Sequence, residues 1–229
     1  MSVDNRLQKI AGLVRRGAVV ADIGTDHAYL PVFLVRNEIA VRAFACDVSD
    51  GPLENAKATI SKFGVDNIVV RKGDGLAAVE PHEADTFVIA GMGGDLIARI
   101  LEAASWIKDS KYELILQPMT AVEDLREYLC KNGFLIVSEC AVKAQGRVYT
   151  VMKVKFTGEV IPCDPLFYFC GKLGENLGED ELAYITRKRR IIDKLAKDIS
   201  AVEDKKERLE VLKEALNGID RLLGNSNGN

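Results

Sequence analysis

The chain has 229 residues, 48% of them hydrophobic and 28% charged, with a formal net charge of −3 and a pI near 5.6. That length allows one domain with an appendage or two small ones, with a core large enough to need no covalent staple. No run of about 18 apolar residues occurs, which excludes a membrane-spanning helix, and the slight acidity means that a nucleic-acid partner requires a local basic patch.

The N-terminal stretch, MSVDNRLQKIAGLVRRG, lacks the apolar core of a signal peptide. From residue 18 to about 156, short apolar runs alternate with helical patterns. The expected strands are 18–24, 42–48, 67–74, 86–92 and 112–118. Each is nearly continuous in apolar residues and ends at or beside Gly, Asp or Pro, as strands buried on both faces do. Between them, 49–64 reads as a helix with Ser49 or Asp50 as its N-cap, Pro52 in its first turn and Gly64 closing it. Residues 94–107 read as a second helix. This order predicts an α/β fold with a mostly parallel sheet and helices on both faces. After Gly133 the pattern changes. Residues 134–156 read as two strands turning near Gln145-Gly146, and so short a link requires an antiparallel hairpin.

Residues 159–178 carry Pro and Gly and read as a transition, which divides the chain into domains 1–158 and 159–229. Beyond it, Leu182, Ile185, Ile192, Leu195, Ile199 and Val202 recur at helical spacings, as do Leu209, Leu212, Leu216, Ile219 and Leu223. Two helices are expected, breaking near 200–205 and folding back as an antiparallel coiled-coil hairpin, with a disordered tail GNSNGN. Five cysteines, with no C-x-x-C pair, argue against a disulfide framework and a zinc site. No metal is expected, and a reducing, cytoplasmic setting fits.

The loop DIGTDHA after the first strand is the default ligand site of such a sheet. A pyrophosphate wants backbone N–H groups with no carboxylate nearby. Here Asp22 and Asp26 flank Gly24, and the glycine-rich G-x-G-x-x-G pattern is missing. S-adenosyl-L-methionine, with its sulfonium and ammonium, suits this charge; a nicotinamide dinucleotide does not. Thr25 and His27 share the loop, His27 either as a helix cap or as a ligand contact. Asp47, at the end of the second strand, is placed to accept ribose hydroxyls. Asp74, within Gly73-Asp74-Gly75, is placed at an adenine edge. The fourth strand ends in Ala90-Gly91-Met92-Gly93-Gly94, whose glycines admit a bulky planar group. The fifth ends in Gln117-Pro118, where the Gln117 amide either meets a base edge or satisfies loop backbone. The D/N-P-P-Y/F/W motif of exocyclic-amine methyltransferases is absent.

Taken together, DIGTDHAYLP, Asp47, GDGL, AGMGG, LQP and RVYTV resemble the bacterial tRNA (adenine(22)-N1)-methyltransferase family, over the whole chain including the charged tail. The resemblance implies a Rossmann-like class I methyltransferase domain, S-adenosyl-L-methionine as donor and N1 of adenine 22 in tRNA as acceptor. Gly91, Met92, Gly93, Gly94, Gln117 and Pro118 are then the candidates for the base pocket. For tRNA, the densest basic run is Arg187, Lys188, Arg189, Arg190 and Lys194, with Arg15, Arg16 and Arg147 as further candidates; a solvated helix face is the alternative. Competing readings are a methyltransferase of another RNA, a protein or a small molecule, an NAD-dependent oxidoreductase, and a non-catalytic RNA-binding protein.

Overall fold

The computed structural model describes residues 3–226. Helix α1 (Asn5–Leu13) opens the chain, and the Asp4 side chain caps it by accepting from the Leu7 N–H at 2.8 Å. Seven strands follow: β1 (Ala18–Ile23), β2 (Ala40–Asp47), β3 (Ile68–Lys72), β4 (Thr86–Gly93), β5 (Glu113–Thr120), β6 (Phe134–Ala144) and β7 (Arg147–Phe156). They form one sheet in the order β3-β2-β1-β4-β5-β7-β6. The first five are parallel, and β7 enters antiparallel between β5 and β6. The hairpin turns at Gln145 and Gly146, both with positive φ.

Helices α2 (Tyr29–Arg36), α3 (Asp50–Phe63), α4 (Gly94–Ala103) and α5 (Val122–Lys131) complete the first unit. Successive residues of a strand point to opposite faces, so the continuous apolar runs feed two cores. Phe87, Ile89, Leu114 and Leu116 join one with Ile97, Leu101 and Leu125. Val88 and Ile115 join the other with Ile10, Leu34 and Val151. Ser49 occupies the N-cap of α3 without a side-chain hydrogen bond, and Gly64 closes the helix at φ 60°. The helix expected over 94–107 stops at Ala103; Ser105–Ile107 form a separate 3₁₀ turn. The turn brings Trp106 edge-on to Phe87 and Tyr112, with ring centroids 5.4 and 5.5 Å away.

The C-terminal unit comprises α6 (Pro165–Cys170), α7 (Glu179–Ile199) and α8 (Lys206–Ser226). Arg189 of α7 pairs with Asp220 of α8. The link 200–205 between the helices spans at most about 20 Å, too short for a parallel return along a helix of about 30 Å, so the two run antiparallel. Ile185, Ile192, Leu212 and Ile219 are buried between them as the periodicity predicts. Leu195 and Val202, expected in that seam, are instead 37% and 41% exposed, and Tyr184 and Ala196 join the buried core of this unit. Gly224–Ser226, expected as disordered tail, continue α8, and the rest of that tail, 227–229, lies outside the described residues.

The helical unit is fastened to the sheet. Ala141 of β6 and Val148 of β7 share its core. The unpaired N–H groups of the edge strand β6 are taken by carboxylates at the start of α7. Ala141 donates to Glu181 at 2.8 Å and Lys143 to Asp180 at 2.9 Å, which blocks edge-to-edge pairing. Arg126 of α5 is wholly buried. It donates to Glu139 of β6 at 2.7 Å and to the carbonyls of Tyr168 and Phe169 in α6 at 3.1 and 2.9 Å.

Candidate active site

The carboxyl ends of β1 to β5 converge on two facing loop sets. After β1 the chain turns at Gly24, whose N–H donates to the Cys46 carbonyl at 2.8 Å, as the Thr25 N–H does at 2.9 Å. Gly24 has φ +80°, and a Cβ there would lie 2.0 Å from Met92 Cε. The positive φ favours glycine at this turn, and the Met92 side chain of the β4 loop fills the space beside it. Asp22 lies beneath it, 8% exposed. Burial pushes its carboxyl up to about 6, Asp47 adds to the rise, and the Thr25 hydrogen bond and Arg6 oppose it. Asp26 is exposed and pairs with His27 Nε2 at 3.3 Å. His27 stacks on Tyr29, ring centroids 5.1 Å apart. It does not cap α2: the residue at that position is Ala28, and the Thr25 hydroxyl takes the Ala28 N–H.

Asp47 accepts the Ser49 N–H through Oδ1 at 2.8 Å. Its carbonyl takes the Gly73 N–H at 3.0 Å, which brings the β2 and β3 ends together. Asp74 is exposed. It borders a hollow of about 340 Å³ lined by Gly75, Leu76, Leu96, Ile100 and Trp106. A larger cavity, about 900 Å³, lies between α5, α6, α7 and α8 with Glu123, Asp124 and Glu127 on its wall. It touches none of the strand-end residues, so the smaller hollow is the one that belongs to this site.

On the other side, Gly91 is a bulge. Ala90 pairs with Gln117 and Met92 with Pro118, and the register shifts between them. Gly91 has φ +79°, and its N–H leaves the ladder to donate to Gln117 Oε1 at 3.2 Å. Gln117 is fully buried. Its Oε1 also accepts from Arg6 Nη1 at 2.6 Å, and its Nε2 donates to the Pro118 carbonyl at 2.8 Å and meets the Met119 sulfur at 3.5 Å. Both ends of the Gln117 amide thus have partners within the protein, the oxygen in Arg6 and the Gly91 N–H and the nitrogen in the Pro118 carbonyl. Gly93 and Gly94 pack against Thr120 and Ala121; a Cβ on Gly94 would lie 2.2 Å from the Ala121 carbonyl oxygen. Nothing in the sequence singles out Arg6, because it lies 111 residues from its partner Gln117, in a helix that precedes the first strand.

The basic candidates divide. Lys188 is tied to Glu123 and sits over the Tyr184 ring, and Arg189 is tied to Asp220. Arg187, Arg190 and Lys194 are exposed at spacings of three and four, along one helix face. Arg15 pairs with Asp85 at 3.1 Å, while Arg16 and Arg147 are exposed. Among the described residues no group of three or more His, Cys, Asp or Glu side chains is arranged for a metal ion, and no helix is long and apolar enough to cross a membrane.

A family model described as "Methyltransferase domain" matches residues 3–152. The tRNA (adenine(22)-N(1))-methyltransferase of Bacillus subtilis is 43% identical over 153 residues, 66% of this chain. The chain matches 64% of that relative's length. The crystal structure of the B. subtilis m1A22 tRNA methyltransferase TrmK superposes with a TM-score of 0.82 at 34% identity, covering 96% of this chain and 98% of that one. A Streptococcus pneumoniae protein solved in complex with S-adenosyl-L-methionine superposes at 0.80 with 31% identity, covering 97% and 100%.

Proposed function

As the chain belongs to the tRNA (adenine(22)-N1)-methyltransferase family, we propose that it moves the methyl group of S-adenosyl-L-methionine to N1 of adenine 22 in tRNA. The acidic donor loop carries the reading. Asp22, Gly24, Thr25, Asp26 and His27 surround the methionine end, where carboxylates favour an ammonium and a sulfonium. Asp47 has one oxygen committed to Ser49 and one left for ribose hydroxyls. Gly73, Asp74 and Gly75 edge an apolar hollow suited to the donor's adenine, and Ala90, Gly91 and Met92 close the site from β4.

The donor supplies an electrophilic methyl on a positively charged sulfur. Adenine N1 offers an in-plane lone pair, so attack needs no prior deprotonation and the protein's task is orientation, worth up to about 7–11 kcal/mol in well-aligned systems. Gly91–Gly94 and Gln117-Pro118 form the acceptor side, with Gln117 shaping the loop rather than touching the base. Because N1 lies on the Watson–Crick edge, the base must leave its pair at a cost of a few kcal/mol. Arg187, Arg190 and Lys194 are the tRNA contacts this reading favours, with Arg16 and Arg147. The Lys188–Glu123 tie sets their helix against the start of α5, which directly follows the loop packed on Gly93 and Gly94. In this reading 1–158 is the catalytic unit, 159–229 the tRNA-facing one, and the setting is the cytoplasm.

The test is incubation with unmodified tRNA and labelled donor, then digestion and mass spectrometry. N1-methyladenosine at position 22 is expected; N6-methyladenosine, or no methylated adenosine with competent tRNA, overturns the assignment.

A further inference from the structure

Gly91 is the one residue of the β4 end that steps out of the β4–β5 register between Ala90 and Met92. Its N–H, lost to the ladder, is held by Gln117 Oε1. That oxygen has a second donor, Arg6 Nη1, at 2.6 Å. A Cβ on Gly91 would stand 3.4 Å from the same Nη1, so the guanidinium lies directly over the bulge. Two donors on Oε1 and the Pro118 carbonyl on Nε2 leave the Gln117 amide a single orientation; a flipped amide would set N–H against N–H. The arginine comes from α1, outside the sheet, and its charge also reaches Asp22 on the donor side. Its bond to Gln117 outweighs a surface one, because Gln117 is fully buried and a charged donor strengthens the bond.

From this geometry we propose that Arg6 is a positioning residue for the transfer, acting through Gln117 to hold the Gly91 bulge where the acceptor base meets the donor. The proposal rests on the methyl-transfer reading above. It predicts a loss in turnover rather than in binding, since a displacement of about 1 Å at a reacting pair costs on the order of 100-fold.

The experiment compares Arg6→Met, Arg6→Lys, Gln117→Ala and the Arg6→Met/Gln117→Ala double variant, with tRNA and donor both saturating. Arg6→Met is expected to lower kcat by about 10–100-fold, with either KM changed less than about threefold. Arg6→Lys, which keeps a cationic donor, should recover most of the loss. The double variant should be no slower than Gln117→Ala, because both remove one path. Should Gln117→Ala not fold, Gln117→Glu keeps the acceptor oxygen and should remain sensitive to Arg6→Met. In parallel, hydrogen exchange of the Gly91 amide is read by NMR in the protein alone, where Arg6→Met should speed it about tenfold or more. Multiplicative losses, a loss confined to KM, no recovery with lysine, or unchanged Gly91 exchange overturns the proposal. If the wild-type protein fails to methylate tRNA but Gly91 exchange responds to Arg6, the functional reading falls and the positioning role stands.

Discussion

Asp22 is an acid in a deeply buried position. Its ordinary value is 3.8, and in the fold its carboxyl titrates at about 6, with burial the main cause. Between those two values the folded state holds more protons than the unfolded chain, so stability falls as pH rises through that window and stays lower above it. The full cost above the window is about 3 kcal/mol. Asp22→Asn is therefore expected to raise the unfolding midpoint near pH 8 and to lose that gain below about pH 4, which urea melts at the two pH values check. The same variant should weaken donor binding at pH 8 by about 1.5–3 kcal/mol in calorimetry. Stabilisation without loss of affinity would make Asp22 a structural acid only. The strand ends are legible in the sequence because Asp and Gly mark them, and the fold sets Asp22, Asp47 and Asp74 at or just beyond the ends of β1, β2 and β3. The state of Gln117 is not legible there. A buried amide's partners depend on Arg6 and Gly91, which only the folded sheet brings to it.

At the scale of elements, the seven strands and the final antiparallel hairpin follow from apolar runs and one short link, signals local enough to read in a single chain; the order of the strands across the sheet does not. Nor do junctions. Arg126 lies in VEDLREYLCK among charged neighbours that mark no buried position, yet its side chain and that of Glu139 have no exposure at all. The ion pair spans α5 and β6, and the remaining guanidinium protons hold α6. Removing one partner of such a pair strands the other, at about 3–5 kcal/mol, whereas replacing both with apolar residues is often close to neutral. Arg126→Ala is thus expected to lose that much stability and to open α6–α8 to limited proteolysis before the sheet. Arg126→Leu with Glu139→Leu should recover most of it. A double variant as unstable as the single one would show that the pair's hydrogen bonds to the α6 backbone, rather than its charge, carry the junction. Leu195 escapes the pattern for a related reason, since helical period alone does not say which side of α7 meets α8 and which meets solvent, while Val202 lies past the end of α7 in the link to α8.

Across the whole molecule, net charge gives no sign of a polyanionic partner, and the run 187–194 gives one that is too broad. Five cations in near succession cannot share a face. The fold spends Lys188 on Glu123 and Arg189 on Asp220 and leaves Arg187, Arg190 and Lys194 together on one side. If those three meet phosphates, replacing them with glutamine should flatten the log–log salt dependence of tRNA binding by about 0.7–0.9 for each phosphate no longer neutralised. The tRNA KM should rise and donor affinity should hold. Lys188→Gln should behave in the opposite way, lowering the unfolding midpoint through the loss of a half-buried tie while leaving the salt slope unchanged. Filter binding across a salt series, run beside thermal melts, separates the two. A flat response of the triple variant would move the phosphate-binding role to Arg16 and Arg147 and reduce α7 and α8 to a brace for the edge of the sheet.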